Sequence, residues 1–329
     1  MLKFVYVLTT DQKDLYTEQA YLSIYSLKLK MPEAYTILLV DDLTESYLRR
    51  NKQYILSIIS ELKVIKIDPI FNKKQRSRFL KTTMREYISG NFLYIDCDTI
   101  ITDNLSDINQ TQADIAGILD THVPLSKYYA KKRVTSMHIE MGMTEALNND
   151  SHFNGGIMFA RDTEAAHHYF MTWHNLWLEC VKKGVNIDQI ALNEANARCG
   201  DIIQELNGIW NCQILKGGIS YLADAKIIHY FATQDYNPHP FYLADESILN
   251  EISQTGMIPT AVYPYLENPK KAFNLQTKLF ADTEMLDFIE SRLFADIIKL
   301  ARKKPILYKK LLNIDKFVHS LGLRKKLRK

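Results

Sequence analysis

Two carboxylates with one residue between them, Asp96 and Asp98, follow the apolar run Phe92–Ile95. We interpret residues 92–101 as one strand buried on both faces. Because side chains alternate along a strand, both carboxylates point to one side, about 7 Å apart, and Cys97 points to the other. A divalent cation with oxygen ligands, and a polyphosphate behind it, would offset this charge beside an apolar sheet. A strand that simply reaches solvent is the alternative explanation of the same pattern.

A basic segment precedes this motif and is predicted to be a helix over residues 76–87. Its apolar stripe would pack on the sheet, and its Arg78 and Lys81 lie about one turn apart, so both could reach one crevice. Cations in that position would offset phosphate charge. The alternative is a solvated helix face.

Four later features have a functional and a structural interpretation each. Asp120 ends a predicted strand, and Gly155 enters another, where a glycine pair lets the backbone approach a ligand or simply makes a turn. Asp188 begins a predicted helix and is a candidate N-cap. His229 lies inside an apolar strand, where a histidine is most often part of the core.

Strands and helices alternate through the first part of the chain. Strands are predicted at residues 4–8, 36–40 and 64–67. Strand and helix alternation indicates a mostly parallel sheet with crossover helices. Ligands bind at the carboxyl ends of such strands, and the polar residues Thr9, Thr10 and Asp11 follow the first one. Residues 121–152 are predicted to be irregular, and the segment with five prolines at 238–269 is predicted to be an extended linker.

The 329 residues suggest one large domain with an appendage, which we place at residues 1–245 and 246–329. Four widely spaced cysteines without a CxxC pair argue against a disulfide framework or a zinc cage and fit a reducing compartment. No apolar stretch reaches the roughly 18 residues that span a bilayer. We therefore expect a cytoplasmic protein.

Charge is distributed unevenly along the chain. From Lys299 onward lie 12 of the 41 lysine and arginine residues but only one of the 38 acidic residues, so the remainder is net acidic. This distribution is not typical of a nucleic-acid-binding protein. A basic helical tail with apolar residues predicts attachment to an anionic membrane surface, or packing on the acidic body as the alternative.

From Phe4 to Tyr230, the order of these motifs resembles glycosyltransferase family 8, which includes glycogenin and bacterial lipopolysaccharide glycosyltransferases. The resemblance implies a single Rossmann-like α/β domain of the GT-A fold, with the basic helical tail as an extension. It implies nucleotide contacts from Thr9, Thr10, Asp11, Tyr16, Asp96 and Cys97, and phosphate or donor-sugar contacts from Arg78, Lys81, Asp120, Asn154 and Gly155. It implies metal ligation by Asp96, Asp98 and His229, and catalytic roles for Gln189 and Asp188.

The resemblance also implies an activity. This activity is the transfer of a hexose from a UDP-sugar to a glycan or lipid-linked saccharide, with retention of the anomeric configuration. The implied cofactor is Mn²⁺ or Mg²⁺, and the implied setting is surface polysaccharide or lipopolysaccharide synthesis. One departure concerns the segment after His229, where the family has a glycine and a lysine that grips the diphosphate. Residues 230–235 contain neither, which leaves that contact unassigned.

Two alternatives belong to other classes. Haloacid dehalogenase-type phosphohydrolases also use Asp-x-Asp at a strand end, but their fifth position is Thr or Val, whereas Ile100 stands here. Their motif also lies near the N-terminus, and this one lies far from it. The second alternative is a sugar-nucleotide or glycan-binding protein without turnover.

Overall fold

The computed structural model describes residues 2–231, 241–273 and 283–320. Within these ranges the strands are β1 Lys3–Leu8, β2 Tyr35–Asp41, β3 Glu61–Ile65, β4 Phe92–Ile95, β5 Thr99–Ile101, β6 Ile115–Leu119, β7 Phe153–Ala160, β8 Ile203–Glu205, β9 Cys212–Gln213 and β10 Ile227–His229. The helices are α1 Tyr16–Lys30, α2 Asp42–Asn51, α3 Gln53–Leu56, α4 Lys73–Tyr87, α5 Lys131–Met141, α6 Glu164–Lys182, α7 Gln189–Arg198, α8 Glu246–Thr255, α9 Tyr263–Glu267, α10 Thr283–Ile289, α11 Arg292–Lys303 and α12 Pro305–Ser320.

The main sheet has seven strands in the order β3-β2-β1-β4-β7-β6-β8. Strands β3, β2, β1 and β4 are parallel to one another, and β6 is parallel to β8, while β7 runs antiparallel to both β4 and β6. Alternation along β1 divides the core, since Phe4 and Tyr6 belong to the cluster on one face and Val5 and Val7 to the cluster on the other. The predicted α/β architecture with a mostly parallel sheet is therefore confirmed.

The prediction of one continuous strand over residues 92–101 is wrong. Strand β4 stops at Ile95, and after a break β5 joins a second, three-stranded sheet in the order β5-β10-β9. The break is fixed by Thr99, whose hydroxyl lies 2.8 Å from the Asp96 carbonyl oxygen and 2.8 Å from the hydroxyl of Ser23 in α1. The Asp-x-Asp motif therefore occupies the junction between two sheets.

Two further expectations are corrected. The segment 121–152 is not wholly irregular, because α5 lies within it and ends at Gly142, whose φ is +68°. The described part of the proline segment forms α8 and α9 and is not an extended linker. Proline starts a helix where its missing N–H is no loss, and Pro264 lies in the first turn of α9. Ile248 and Leu249 of α8 are buried in the same core cluster as β1.

The C-terminal part of the described chain is helical, in agreement with the prediction. Helices α10 and α11 are separated at Ser291, which caps α11 by accepting a hydrogen bond from the Phe294 backbone N–H. No helix in the described ranges is long and apolar enough to cross a bilayer. The proposed domain boundary at residue 245 remains a prediction.

Candidate metal and donor site

Asp96, Asp98 and His229 converge at the junction between the two sheets. Each offers one ligand atom, and these atoms all lie within 4.8 Å of one another. Among them, His229 Nε2 and Asp98 Oδ1 are 3.2 Å apart. The cluster was expected from the resemblance, and the structure brings its three members together.

The backbone explains why these residues meet. Strand β10 pairs antiparallel with β5, and His229 lies opposite Thr99. The Tyr230 N–H then donates to the Asp98 carbonyl at 3.1 Å, and the Asp96 N–H donates to the Gly156 carbonyl of β7 at 2.8 Å. Segments more than 130 residues apart in sequence are thus fixed by main-chain hydrogen bonds around the cluster.

Gly156 is required beside the cluster because no side chain fits there. A Cβ atom on it would lie 2.5 Å from His229 Cε1 and 2.8 Å from Asp96 Oδ2. A Cβ atom on the neighbouring Gly155 would instead lie 3.1 Å from Leu192 Cδ1 and 3.4 Å from Lys81 Nζ. Of the glycine pair, the residue that the resemblance did not single out is the one against the cluster.

A directed chain of hydrogen bonds sets the orientation of the His229 ring. Burial alone would raise the pKa of Asp120, but Lys216 and hydrogen bonds outweigh burial and hold that pKa at about 2. Asp120 is therefore a carboxylate. It can only accept, so Asn154 Nδ2 donates to it at 3.0 Å, and Asn211 Nδ2 donates to Asn154 Oδ1 at 3.1 Å. Asn211 Oδ1 must then accept from His229 Nδ1–H, at 2.9 Å.

This tautomer fits a metal ligand. With the proton on Nδ1, the lone pair of Nε2 faces Asp98, so the two basic atoms need a cation between them. Two carboxylates and one imidazole form a donor set for a divalent ion such as Mn²⁺ or Mg²⁺.

Arg78 and Lys81 of α4 lie close to Asp188, and Lys81 also lies close to Asp96 of the cluster. Lys81 Nζ is 3.4 Å from Asp96 Oδ1 and 3.8 Å from Asp188 Oδ2, and Arg78 Nε is 3.0 Å from Asp188 Oδ1. Tyr94 also donates a hydrogen bond from its hydroxyl to Asp96 Oδ1. The cations and carboxylates therefore form one network at the carboxyl end of β4.

Asp188 occupies the N-cap position of α7, but its side chain makes no capping hydrogen bond. The structural interpretation of its carboxylate is therefore wrong, because that group pairs with Arg78 and Lys81 instead. Burial raises its pKa, and the two cations outweigh burial, so the pKa lies below the usual value. In turn Asp188 raises the pKa of Arg78.

Gln189 follows Asp188 and faces the segment before β7. Its Nε2 donates to the Phe153 carbonyl at 3.1 Å and lies 3.3 Å from His152 Nε2. Burial lowers the pKa of His152 to about 4, with Asp120 opposing in part, so this ring is neutral near pH 7. Gln189, His152 and Asp120 line one cavity of about 530 Å³.

The residues predicted to bind the nucleotide begin at the carboxyl end of β1. Strand β1 pairs with β4 in the main sheet, so the carboxyl ends of the two strands lie side by side. Asp11 is held by Lys73, whose Nζ lies 2.9 Å from Asp11 Oδ2 and 2.6 Å from Asp14 Oδ2. Lys73 Nζ also lies 5.9 Å from the centre of the Tyr16 ring, so it connects the loop to α1.

The other predicted nucleotide contacts point to the protein interior. Thr9 donates from its hydroxyl to the Lys73 carbonyl at 3.3 Å, and Thr10 donates to Asp14 Oδ1 at 2.7 Å. The Cys97 thiol donates to the Val7 carbonyl at 3.3 Å, and burial raises its pKa well above its usual value.

Sequence reasoning did not find Asn211, Lys73 or Lys216, and it included Gly156 only as the second member of a glycine pair. Lys216 Nζ lies 4.4 Å from the centre of the Phe231 ring, which stacks on His229 at 4.3 Å. Asn211 and Lys216 come from short or irregular stretches with no motif around them, and only the fold reveals their neighbours. The family has a lysine shortly after His229, and this chain has none there. Positions 232–235 of that segment lie outside the described residues.

Comparisons with known proteins bear on the family and on the fold. A family model described as nucleotide-diphospho-sugar transferase matches residues 33–237. No curated protein matches the sequence. An active-site mutant of LgtC is 13% identical, with 80% of this chain and 99% of that chain covered and a TM-score of 0.50, and it shares the fold. A complex of the galactosyltransferase LgtC with donor and acceptor sugar analogs (14% identity, 80% and 99% covered, TM-score 0.48) also matches. So does the glycosyltransferase GlyE of Streptococcus pneumoniae TIGR4 (16%, 79% and 66%, 0.47).

Proposed function

The chain belongs to the nucleotide-diphospho-sugar transferase family and has the GT-A fold, and from this premise we propose that it is a metal-dependent hexosyltransferase of the family 8 type. The donor is a UDP-sugar, and the acceptor is a glycan or a lipid-linked saccharide. The observation that carries this proposal is the Asp96, Asp98 and His229 cluster, in which a chain of hydrogen bonds leaves His229 Nε2 open to a cation. The metal is Mn²⁺, with Mg²⁺ as the alternative.

Each group of residues has a separate task in this proposal. When bound, the divalent ion supplies positive charge where charge develops on the departing UDP. Arg78 and Lys81, already paired with carboxylates beside the cluster, turn to the diphosphate oxygens when the donor binds. Tyr16 stacks on the base, and Asp11 and the main chain of Thr9 and Thr10 line the base and ribose at the adjacent strand end.

The sugar lies between the metal cluster and the 530 Å³ cavity. Asp120, Asn154 and the backbone at Gly155 hold its hydroxyl groups, since Asp120 and Asn154 are already joined at 3.0 Å. Gln189 and Asp188, at the start of α7, stabilise positive charge on the reacting sugar carbon. Asp188 suits this task because it is ionised and buried.

We expect retention of the anomeric configuration. The acceptor hydroxyl attacks from the side of the leaving group and passes its proton to a phosphate oxygen of the donor, so no carboxylate nucleophile is needed. Proton NMR of the first product formed gives the configuration directly. An inverted anomeric signal would contradict the retaining mechanism and leave the transferase proposal standing.

The activity itself is tested by the release of nucleoside diphosphate. A panel of nucleotide sugars is incubated with the protein in Mn²⁺ and in EDTA, and we expect release from one UDP-sugar that EDTA abolishes. A sugar-nucleotide-binding protein without turnover would show no release in any acceptor mixture, although UDP would still raise its melting temperature. If UDP with Mn²⁺ also leaves the melting temperature unchanged, the proposed donor is wrong. Family membership gives no support to the phosphohydrolase alternative.

A cytoplasmic location with attachment to the inner membrane surface completes the proposal, in the setting of surface polysaccharide or lipopolysaccharide synthesis. Helix α12 exposes aliphatic side chains, among them Ile306 at 74% and Ile314 at 58%, together with the exposed Lys309 and Lys310. Exposed aliphatic and cationic side chains on one helix favour an anionic lipid surface.

Removal of the residues after Lys304 should release the protein from anionic vesicles. This cut removes α12 and the following residues but keeps α11, so the cavity wall stays intact. Sedimentation with phosphatidylglycerol vesicles measures the attachment, and neutral phosphatidylcholine vesicles are the control. Undiminished sedimentation of the shortened chain would show that attachment does not depend on α12.

A further inference from the structure

The cavity beside the proposed sugar site has two unlike walls. Asp120 and Gln189 line the wall next to the metal cluster. The opposite wall is one face of α11, to which Phe294 and Ile298 contribute apolar surface and Lys299 contributes a cation. An acceptor that enters here lies directly against the residues around the donor sugar.

Positive charge dominates the lining of this cavity. The cationic residues are Arg133, Lys216, Lys299, Arg302 and Lys303, and the acidic residues are Asp120, Glu290 and Asp296. Two of the three acids are already matched. Asp120 Oδ1 lies 3.9 Å from Lys216 Nζ, and Asp296 Oδ2 lies 3.5 Å from the Nε of Arg292, which is not part of the lining.

The surplus cations come from two helices, α11 and α5. Lys299 and Lys303 are four residues apart and therefore share a face of α11, and Arg133 lies across the cavity on α5. Within the described residues, no carboxylate oxygen lies within 4.0 Å of the charged nitrogens of these three side chains. Cations that gather around a concave surface without acidic partners raise the local concentration of anions.

Resting on the proposed function, we propose that the acceptor is an anionic saccharide. Its phosphate or carboxylate group binds to Lys299, Lys303 and Arg133 at the outer end of the cavity. A sugar ring of the same molecule lies over the apolar surface of α11, and its hydroxyl reaches the donor sugar near Asp120 and Gln189. Helix α11 thereby selects the acceptor, while the sheet edge binds the donor.

Binding of charged and neutral sugars to the full chain tests this proposal. The donor site is first filled with UDP and Mn²⁺, and melting temperature is followed while glucose 6-phosphate, glucuronic acid, glucose or inorganic phosphate is added. We expect the two anionic sugars to raise the melting temperature at about tenfold lower concentration than glucose, a ratio that one charge-assisted contact supplies. Inorganic phosphate should have a smaller effect than glucose 6-phosphate.

Paired variants locate the effect. In Lys299→Ala/Lys303→Ala the response to the anionic sugars should be lost, and in Lys66→Ala/Lys182→Ala, which removes two exposed lysines away from the cavity, it should persist. A Lys299→Gln variant serves if the double variant does not fold. An equal response to glucose, a response unchanged in the cavity variants, or a response that phosphate alone reproduces would overturn the proposal.

Two controls separate this inference from its premise and from a lipid alternative. A rise in melting temperature with UDP and Mn²⁺ alone supports the donor site, so its absence counts against the proposed function and not against the acceptor class alone. If the cavity variant loses phosphatidylglycerol vesicle binding and keeps the response to sugars, then the cations of α11 bind lipid head groups. That result would also overturn the saccharide proposal.

Discussion

Asp98→Asn should lower Mn²⁺-dependent release of UDP from its donor by about 10³-fold, because a metal ion contributes several kcal/mol to the stabilisation of developing charge. The amide keeps the size of the carboxylate but removes its charge. Asp98 lies 3.2 Å from His229 Nε2, so the change leaves that nitrogen without its anionic partner. The measurement is nucleoside diphosphate release across a range of Mn²⁺ concentrations.

Two further measurements make this result specific. The rise in melting temperature that UDP produces with Mn²⁺ should disappear in Asp98→Asn and remain in Asp103→Asn, where the replaced carboxylate is exposed and lies outside the cluster. Asp98→Asn should retain the wild-type fold, since the main-chain bond from the Tyr230 N–H to the Asp98 carbonyl does not involve the side chain. Wild-type Mn²⁺ dependence in Asp98→Asn would remove Asp98 from the ligand set.

The main sheet could be predicted from local sequence because its strands bury both faces. Strands such as β1 and β2 are continuous runs of apolar and β-branched residues, and such a run by itself indicates a buried strand. The break after Ile95 could not be found this way. Residues 99–101 are as apolar as residues 92–95, and only pairing with β10, far along the chain, moves them to another sheet.

The same distinction applies to the site. Asp96 and Asp98 were recognised because one short motif contains both, and His229 was placed beside them through the resemblance to a family. Asn211 had no such signal, because its role depends on the direction of hydrogen bonds that start at Asp120 and end at His229. A side chain that acts by orienting another one becomes visible only when the fold brings both together.

Asp188 shows that a local signal can give the right position and the wrong partner. The sequence predicted a helix start there, and the residue is the N-cap of α7. Its carboxylate nevertheless turns to Arg78 and Lys81, because two cations from α4 stabilise a buried charge more than one backbone N–H does. The position followed from helix chemistry, whereas the partner depended on the fold bringing Arg78 and Lys81 of α4 to the start of α7.

Gly156→Ala should weaken Mn²⁺ binding by about 10- to 100-fold, the range found when the surroundings of metal ligands are altered. The new Cβ would lie 2.5 Å from His229 Cε1 and 2.8 Å from Asp96 Oδ2. The His229 ring cannot retreat, because Asn211 holds its Nδ1 at 2.9 Å and the Phe231 ring stacks on it at 4.3 Å. At least one ligand must therefore leave the geometry in which the three ligand atoms converge.

The dependence of this effect on metal concentration distinguishes a displaced ligand from a misfolded protein. In Gly156→Ala, UDP release should fall at low Mn²⁺ and recover in part at high Mn²⁺, since both carboxylates and the imidazole remain present. Gly117→Ala in β6 is the matched control, because its Cβ would meet Ile203 Cγ2 at 3.4 Å, an ordinary contact. That control should keep the wild-type Mn²⁺ affinity. If Gly156→Ala binds Mn²⁺ as tightly as the wild type does, then the metal does not lie between Asp96 and His229, and the ligand set must be sought elsewhere in the network.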